Sequence, residues 1–223
     1  MYSGLEKKDQ SGPFLISIIL LEYLLPKARK DGSHMTQTRN RNQTLRICFI
    51  GMMAAIIFVL YYFRIPFMGT SLHLTNSLCV LAGLLFGPAA GFMAAGIGSF
   101  LFDIVSGYGI ESLITFVSKG AIGLIAGFIG YSAAHCDSIS SKNHFTIVLA
   151  SVLGAFAYVL LYMLKTFVMG LTVRGLTMDA TIASMLSKLP GSVINALFAS
   201  IIAPVFFNAI RPALRHIGIW EHF

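Results

Sequence analysis

"LFGPAAGFMAAGIGSFLFD", residues 85–103, decides the fold. The stretch is apolar enough for a bilayer, yet it is dense in glycine and alanine and it stops on an acid. Helices in lipid gain little hydrophobic drive from meeting one another, so close contact depends on small side chains that let backbones approach. Gly91, Ala94, Ala95, Gly96 and Gly98 give this segment a smooth surface, and Gly83, Gly87, Gly123 and Gly127 extend the pattern to its neighbours. Asp103 needs a second explanation, because charge near hydrocarbon is costly and marks function.

The rest of the chain has the same character. Hydrophobic residues make up 56% of it, charged residues only 11%, and mean hydropathy is +0.78, outside the range of soluble domains. The expected class is an all-α integral membrane protein. Residues 1–34 are set apart: Gly32-Ser33-His34-Met35 reads as a protease remnant and cloning junction, making 1–34 an expression tag or leader and Met35 the native start. A signal peptide is the rival reading, with Lys7 and Lys8 before an apolar run from Phe14 to Leu25. Glu22 interrupts that run, and no small-x-small cleavage site follows. Residues 35–223 are expected to form one membrane domain.

Apolar runs predict six helices, at about Leu45–Phe63, Leu74–Phe86, Ala89–Val105, Ser112–Ala133, Phe145–Leu171 and Ile182–Ile210. The second is short for a full span. From Met35 onward there are 11 Lys/Arg and 5 Asp/Glu, and their distribution speaks to topology before nucleic acid. Arg39, Arg41 and Arg46 precede the first helix, Lys142 follows the fourth, and Arg211 and Arg215 follow the sixth. The opposite loops carry Arg64 and Arg174. The positive-inside rule then puts both native termini in the cytoplasm. Segments Arg64–His73, Asp103–Glu111 and Thr172–Thr181 face outward. Cys48, Cys79 and Cys136 lack CxxC spacing and read as buried free thiols.

Polar residues gather in the outward half. Lys119, Lys165 and Lys188 lie six or seven residues inside three different helices, about 10 Å deep at 1.5 Å per residue. Tyr61, Tyr62, Arg64, His73, Asn76, Ser99, Asp103, Glu111 and Thr115 join them, and Ser184, Lys188, Gly191 and Asn195 share one face of the last helix. These lysines either snorkel outward, pair with Asp103 and Glu111, or line a cavity open to the outside; shared depth with matching amides favours the cavity. Candidate ligand contacts are Tyr62, Arg64, His73, Asn76, Asp103, Glu111, Lys119, Lys165, Lys188 and Asn195. Pro190-Gly191 predicts a kink beside Lys188, from a binding site or from packing. On the first helix Gly51 and Ala55 form a small-xxx-small groove for a neighbour in the chain or a membrane partner.

No GxxxxGK[ST] loop, metal-ligand spacing or GxSxG motif occurs, so no cofactor, metal or catalytic residue is expected, and this chain alone is not expected to hydrolyse ATP.

The run "SLHLTNSLCVLAGLLFGPAAGFMAAGIGSFLFDIVSG" (71–107), followed by "ESLITFVSKGAIGLIAGFIG" (111–130), resembles the S components of energy-coupling factor (ECF) vitamin transporters. The likeness extends from Met35 to the end, and Gly51-x-x-x-Ala55 sits where that family usually has Ala-x-x-x-Ala. The resemblance implies a multi-pass subunit of a prokaryotic cell membrane that captures a vitamin on its extracellular side. It also implies docking through the first helix onto a transmembrane T component with two cytoplasmic ABC-type ATPases, and toppling in the membrane to release cargo inward. The outward half offers five cations against Asp103, Glu111 and Asp179, which disfavours a cationic cargo such as thiamine. Cobalamin is the first candidate and riboflavin the second. A stand-alone secondary transporter or channel for a small anion is the alternative from another class. An intramembrane enzyme would have to use Asp103, Glu111 and the lysines without any supporting spacing.

Overall fold

A computed structural model describes residues 43–67, 70–136 and 140–216. Two units divide the chain, Met1–Thr44 and Leu45–Phe223, and the first contributes only Gln43 and Thr44 to the described residues. The reading of residues 1–34, together with Arg39 and Arg41, lies outside them.

Among the described residues, six helices and one hairpin follow in order. Helix α1 is Gln43–Leu60. A short antiparallel hairpin comes next, β1 (Ile65–Phe67) and β2 (Thr70–Leu72), with Ile65 opposite Leu72 and Phe67 opposite Thr70. Then come α2 (Thr75–Phe86), α3 (Pro88–Val105), α4 (Glu111–Ala134), α5 (Ser141–Thr172) and α6 (Met178–His216). Five of these helices are long and apolar enough to cross a membrane. The exception to the expected six spans is α2, whose 12 residues rise only about 18 Å.

That short helix is the centre of the structure. All 12 of its residues are buried, and it packs against α3, α4 and α6. A helix apolar on every side is stable only when enclosed, and α2 meets that condition. Gly87 ends it with φ +85°, a left-handed conformation open to glycine, and Pro88 starts α3 at once in its first turn. The chain thus reverses between two helices without a loop.

The small residues do what their spacing implies. A Cβ at Gly83 would lie 2.2 Å from the Gly123 carbonyl oxygen, one at Gly91 2.6 Å from the Gly83 Cα, and one at Gly127 2.6 Å from the Pro88 nitrogen. Helices α2, α3 and α4 therefore touch main chain to main chain. On α1, Met53, Ala54 and Ile57 point inward and Tyr61 continues their line just beyond the helix, while Gly51, Met52, Ala55, Ile56 and Val59 point away from the other helices.

Several sequence expectations change. Helices α5 and α6 run beyond their apolar runs at both ends, because polar residues continue the backbone ladder after hydrocarbon-compatible side chains stop. At Pro190-Gly191, where a kink is expected, the helix continues: α6 is helical throughout, with Pro190, Pro204 and Pro212 inside it. Gly191 instead makes room for the hairpin, since a Cβ there would meet Thr70 Cγ2. Of the three cysteines only Cys79 is buried; Cys48 and Cys136 are exposed, and all three are free. Arg211 and Arg215 donate to the Cys136 carbonyl just past α4, placing cations where the helix dipole is negative.

The hairpin is too short to stand alone and is held from α6. Asn195 accepts from the His73 backbone N–H at 3.0 Å through Oδ1 and donates through Nδ2 to the Ser71 carbonyl at 2.8 Å. Asn195→Leu leaves both main-chain groups without that partner, costing about 2 kcal/mol or more. Hydrogen exchange across residues 65–73 is expected to accelerate in this variant while the amides of α2 stay protected. Equal protection of the hairpin in both proteins would show that it does not depend on Asn195.

Candidate ligand-binding site

Where the hairpin meets α3, α4, α5 and α6 lies a cavity of about 310 Å³. Its position follows from the helix ends that surround it. Tyr61 and Arg64 arrive just after α1, Phe102 and Asp103 from the end of α3, Glu111 to Lys119 from the start of α4, Tyr158 to Met169 from the second half of α5, Arg174 from just beyond it, and Lys188 from α6. Arg46, Lys142, Arg211 and Arg215 belong to the other ends of these helices.

Lys119 forms the floor and is only 3% exposed. Its Nζ donates to the Asn76 Oδ1. Aromatic faces supply its other neighbours: the ammonium stands 3.9 Å from the Tyr158 ring centroid and 5.6 Å from that of Tyr61. No carboxylate lies within ion-pair distance of it among the described residues. Tyr61 is fixed in turn by stacking on Phe102 at 4.6 Å and by donating to Ser99 Oγ at 3.3 Å. Tyr158 stacks on Tyr162, whose hydroxyl meets Thr70 of the hairpin. The floor is thus a buried cation in an aromatic frame, with ammonium protons to spare for an acceptor.

One wall is ionic. Glu111 Oε1 takes Arg174 Nη2 at 3.0 Å, and Glu111 Oε2 lies 3.4 Å from Lys165 Nζ, which also donates to Thr115 Oγ1 at 2.9 Å. Lys188, half-buried, lines the same cavity without a hydrogen bond or ion pair among the described residues. Near the rim Arg64 donates to the Tyr108 hydroxyl at 3.4 Å and lies 5.2 Å from the Phe102 ring.

Seven of the ten sequence candidates meet here: Arg64, His73, Asp103, Glu111, Lys119, Lys165 and Lys188. Lys119 does not snorkel, because its ammonium turns inward. Three candidates fall outside the lining. Tyr62 is 57% exposed, since α1 stops at Leu60 and the inward line ends on Tyr61. Asn76 sits behind Lys119 and orients it, with its own Nδ2 buried and unpartnered among the described residues. Asn195 anchors the hairpin. The aromatic lining from Phe102, Tyr108, Tyr158 and Tyr162 went unseen in the sequence. Tyr158, Tyr162, Lys165 and Met169 follow steps of four, three and four, so extending the inward face from Lys165 would have found the α5 residues.

A membrane-embedded helical bundle with a polar pocket at one end is built to hold a small molecule, and comparisons with known proteins specify which such bundle it is. Residues 41–212 match the family model for the ECF-type riboflavin transporter, S component. The chain belongs to that family. A curated relative from Pyrococcus woesei, an "uncharacterized protein in gap 3′ region", is 34% identical over 108 residues, which is 48% of this chain and 67% of that protein. A solved S component of a bacterial ECF transporter superposes with a TM-score of 0.57 at 19% identity, over 78% of this chain and 99% of that one. It shares the fold.

Proposed function

We propose that the chain captures riboflavin or a close flavin in this cavity and passes it to a transmembrane T component driven by two ABC-type ATPases. The observation that carries the reading is the floor, a buried lysine framed by Tyr61, Tyr158 and Phe102, within a chain of this family. A flat isoalloxazine stacks on aromatic faces, and its carbonyl and ring-nitrogen acceptors suit the free protons of Lys119. The ribityl hydroxyls find Asp103, Glu111, Thr115 and Lys165 along the wall.

Size reverses the order of cargo favoured from sequence. The cavity, about 310 Å³, is at the small end of ligand sites, and a corrinoid with its axial base far exceeds it. Riboflavin has about 27 non-hydrogen atoms; at about −0.3 kcal/mol each this gives about −8 kcal/mol, or a Kd of about 1 μM or tighter. Calorimetry of a vitamin panel on the purified chain is expected to give one-to-one binding with riboflavin and none with cobalamin. Binding of cobalamin alone overturns the assignment. Anion movement in vesicles without any ATPase would overturn the capture role itself.

The excess of Arg46, Lys142, Arg211 and Arg215 at the opposite ends supports an extracellular position for the cavity. Docking falls to α1, where Gly51 and Ala55 face away from the other helices and a Cβ at Gly51 would meet nothing within 4 Å. Gly51→Trp is therefore expected to keep the fold and flavin affinity while losing co-purification with co-expressed T component and ATPases. Retention of the full complex would move the docking surface elsewhere.

A further inference from the structure

The cavity carries more positive charge than its own carboxylates offset. Arg64, Lys119, Lys165, Arg174 and Lys188 line it against Asp103 and Glu111 alone. Both oxygens of Glu111 are engaged, one by Arg174 and the other facing Lys165. Lys188 shares the electrostatic neighbourhood of Arg174, Glu111 and Lys165. One wall therefore brings Lys165 and Arg174 onto one carboxylate with Lys188 in the same lining, at side-chain exposures of 15% for Lys165, 19% for Glu111 and 46% for Arg174. Asp103 forms no ion pair within 4.0 Å among the described residues, although Lys119 and Lys165 lie in its electrostatic neighbourhood, so the two carboxylates together leave the five cations in excess.

Uncompensated charge in a partly desolvated site is unfavourable, and several cations turned toward a common space lower that cost when an anion enters. Arg174 presents a planar fork and the two lysines mobile ammoniums, a combination suited to an oxyanion with several acceptor oxygens. We infer that the cavity holds an anion subsite formed by Lys165, Arg174 and Lys188, and that its preferred cargo bears an ionised phosphate or carboxylate on the arm reaching this wall. The inference rests on the capture reading and narrows it: the aromatic floor takes the ring, and the ionic wall takes a charged tail where riboflavin has only a hydroxyl. Glu111 keeps Arg174 and Lys165 in place and yields part of their hydrogen bonding to the incoming oxyanion.

Riboflavin and riboflavin 5′-phosphate differ only at that tail, which makes them the direct probes. Titrated into the full chain in detergent at low salt, the phosphate ester is expected to bind about tenfold tighter, and 0.5 M sodium chloride to erase most of the difference. Lys188→Gln, and separately Arg174→Gln, should collapse the ratio of the two affinities toward one. Inorganic phosphate, compared with chloride at matched ionic strength, tests the subsite without a flavin: it should raise the thermal unfolding midpoint of the parent chain and not of Lys188→Gln. A carboxylated vitamin from the same panel, binding with the same dependence on Lys188, would identify the oxyanion as carboxylate.

The outcomes separate cleanly. Equal binding of both flavins with no phosphate effect removes the anion subsite and leaves flavin capture standing. A Lys188-dependent phosphate effect with no flavin binding removes flavin capture and leaves the subsite standing. Absence of both overturns both.

Discussion

Lys119→Met is expected to weaken flavin binding roughly 30- to 150-fold, the equivalent of about 2 to 3 kcal/mol for one hydrogen bond from a charged donor. Methionine keeps most of the length of the side chain but removes the ammonium that stands over the Tyr61 and Tyr158 rings and every proton it can donate. Folding should be little affected. The ammonium has no carboxylate within ion-pair distance among the described residues, so its loss strands no opposite charge, and only the Asn76 amide oxygen gives up a bond. A double substitution, Lys119→Met with Asn76→Leu, removes that orphan as well and should recover the small loss of thermal stability without restoring affinity. Undiminished affinity in Lys119→Met would place the ligand away from the floor and end the aromatic-frame account.

The second large effect is on assembly of the fold. Gly83→Val is expected to abolish monodisperse protein, with an overpacking penalty of about 3 kcal/mol or more. The added Cβ would lie 2.2 Å from the Gly123 carbonyl oxygen and 2.9 Å from the Gly127 nitrogen, and neither main-chain group can swing aside as a flexible side chain does. Gly51→Val makes the contrast, being the same chemical change on α1 with open space around it. Size-exclusion profiles after extraction should lose the main peak for the first variant and keep it for the second. Similar profiles for both would mean that α2 and α4 can part without loss of structure.

Much of this was readable from residues because the cause was local or periodic. Glycines at 83, 91, 123 and 127 announced close helix contact, and the apolar runs located all six helices. The shared depth of Lys119, Lys165 and Lys188 anticipated a common lining. Other features depend on partners far along the chain. Ile65-Pro66-Phe67 and Thr70-Ser71-Leu72 have neither the length nor the alternation of strands; Asn195, more than 120 residues later, ties them down. The same tie explains why Asn195 resembled a ligand contact: it is a buried amide on the right face, with its hydrogen bonds directed at main chain. Tyr61 and Tyr62 could be told apart only by following Met53, Ala54 and Ile57 to their next inward position.

The backbone seam between α2, α3 and α4 also bears on how such a protein could change over generations. A contact made of bare main chain has no side chain to enlarge, trim or swap, so it offers almost no neutral substitutions. The α5 wall, α6 and the hairpin meet the cavity through tyrosines, lysines and threonines, each replaceable without moving a neighbouring backbone. Appetite for a new nutrient would therefore be acquired on that side, while the seam persisted as the inherited frame against which it was fitted.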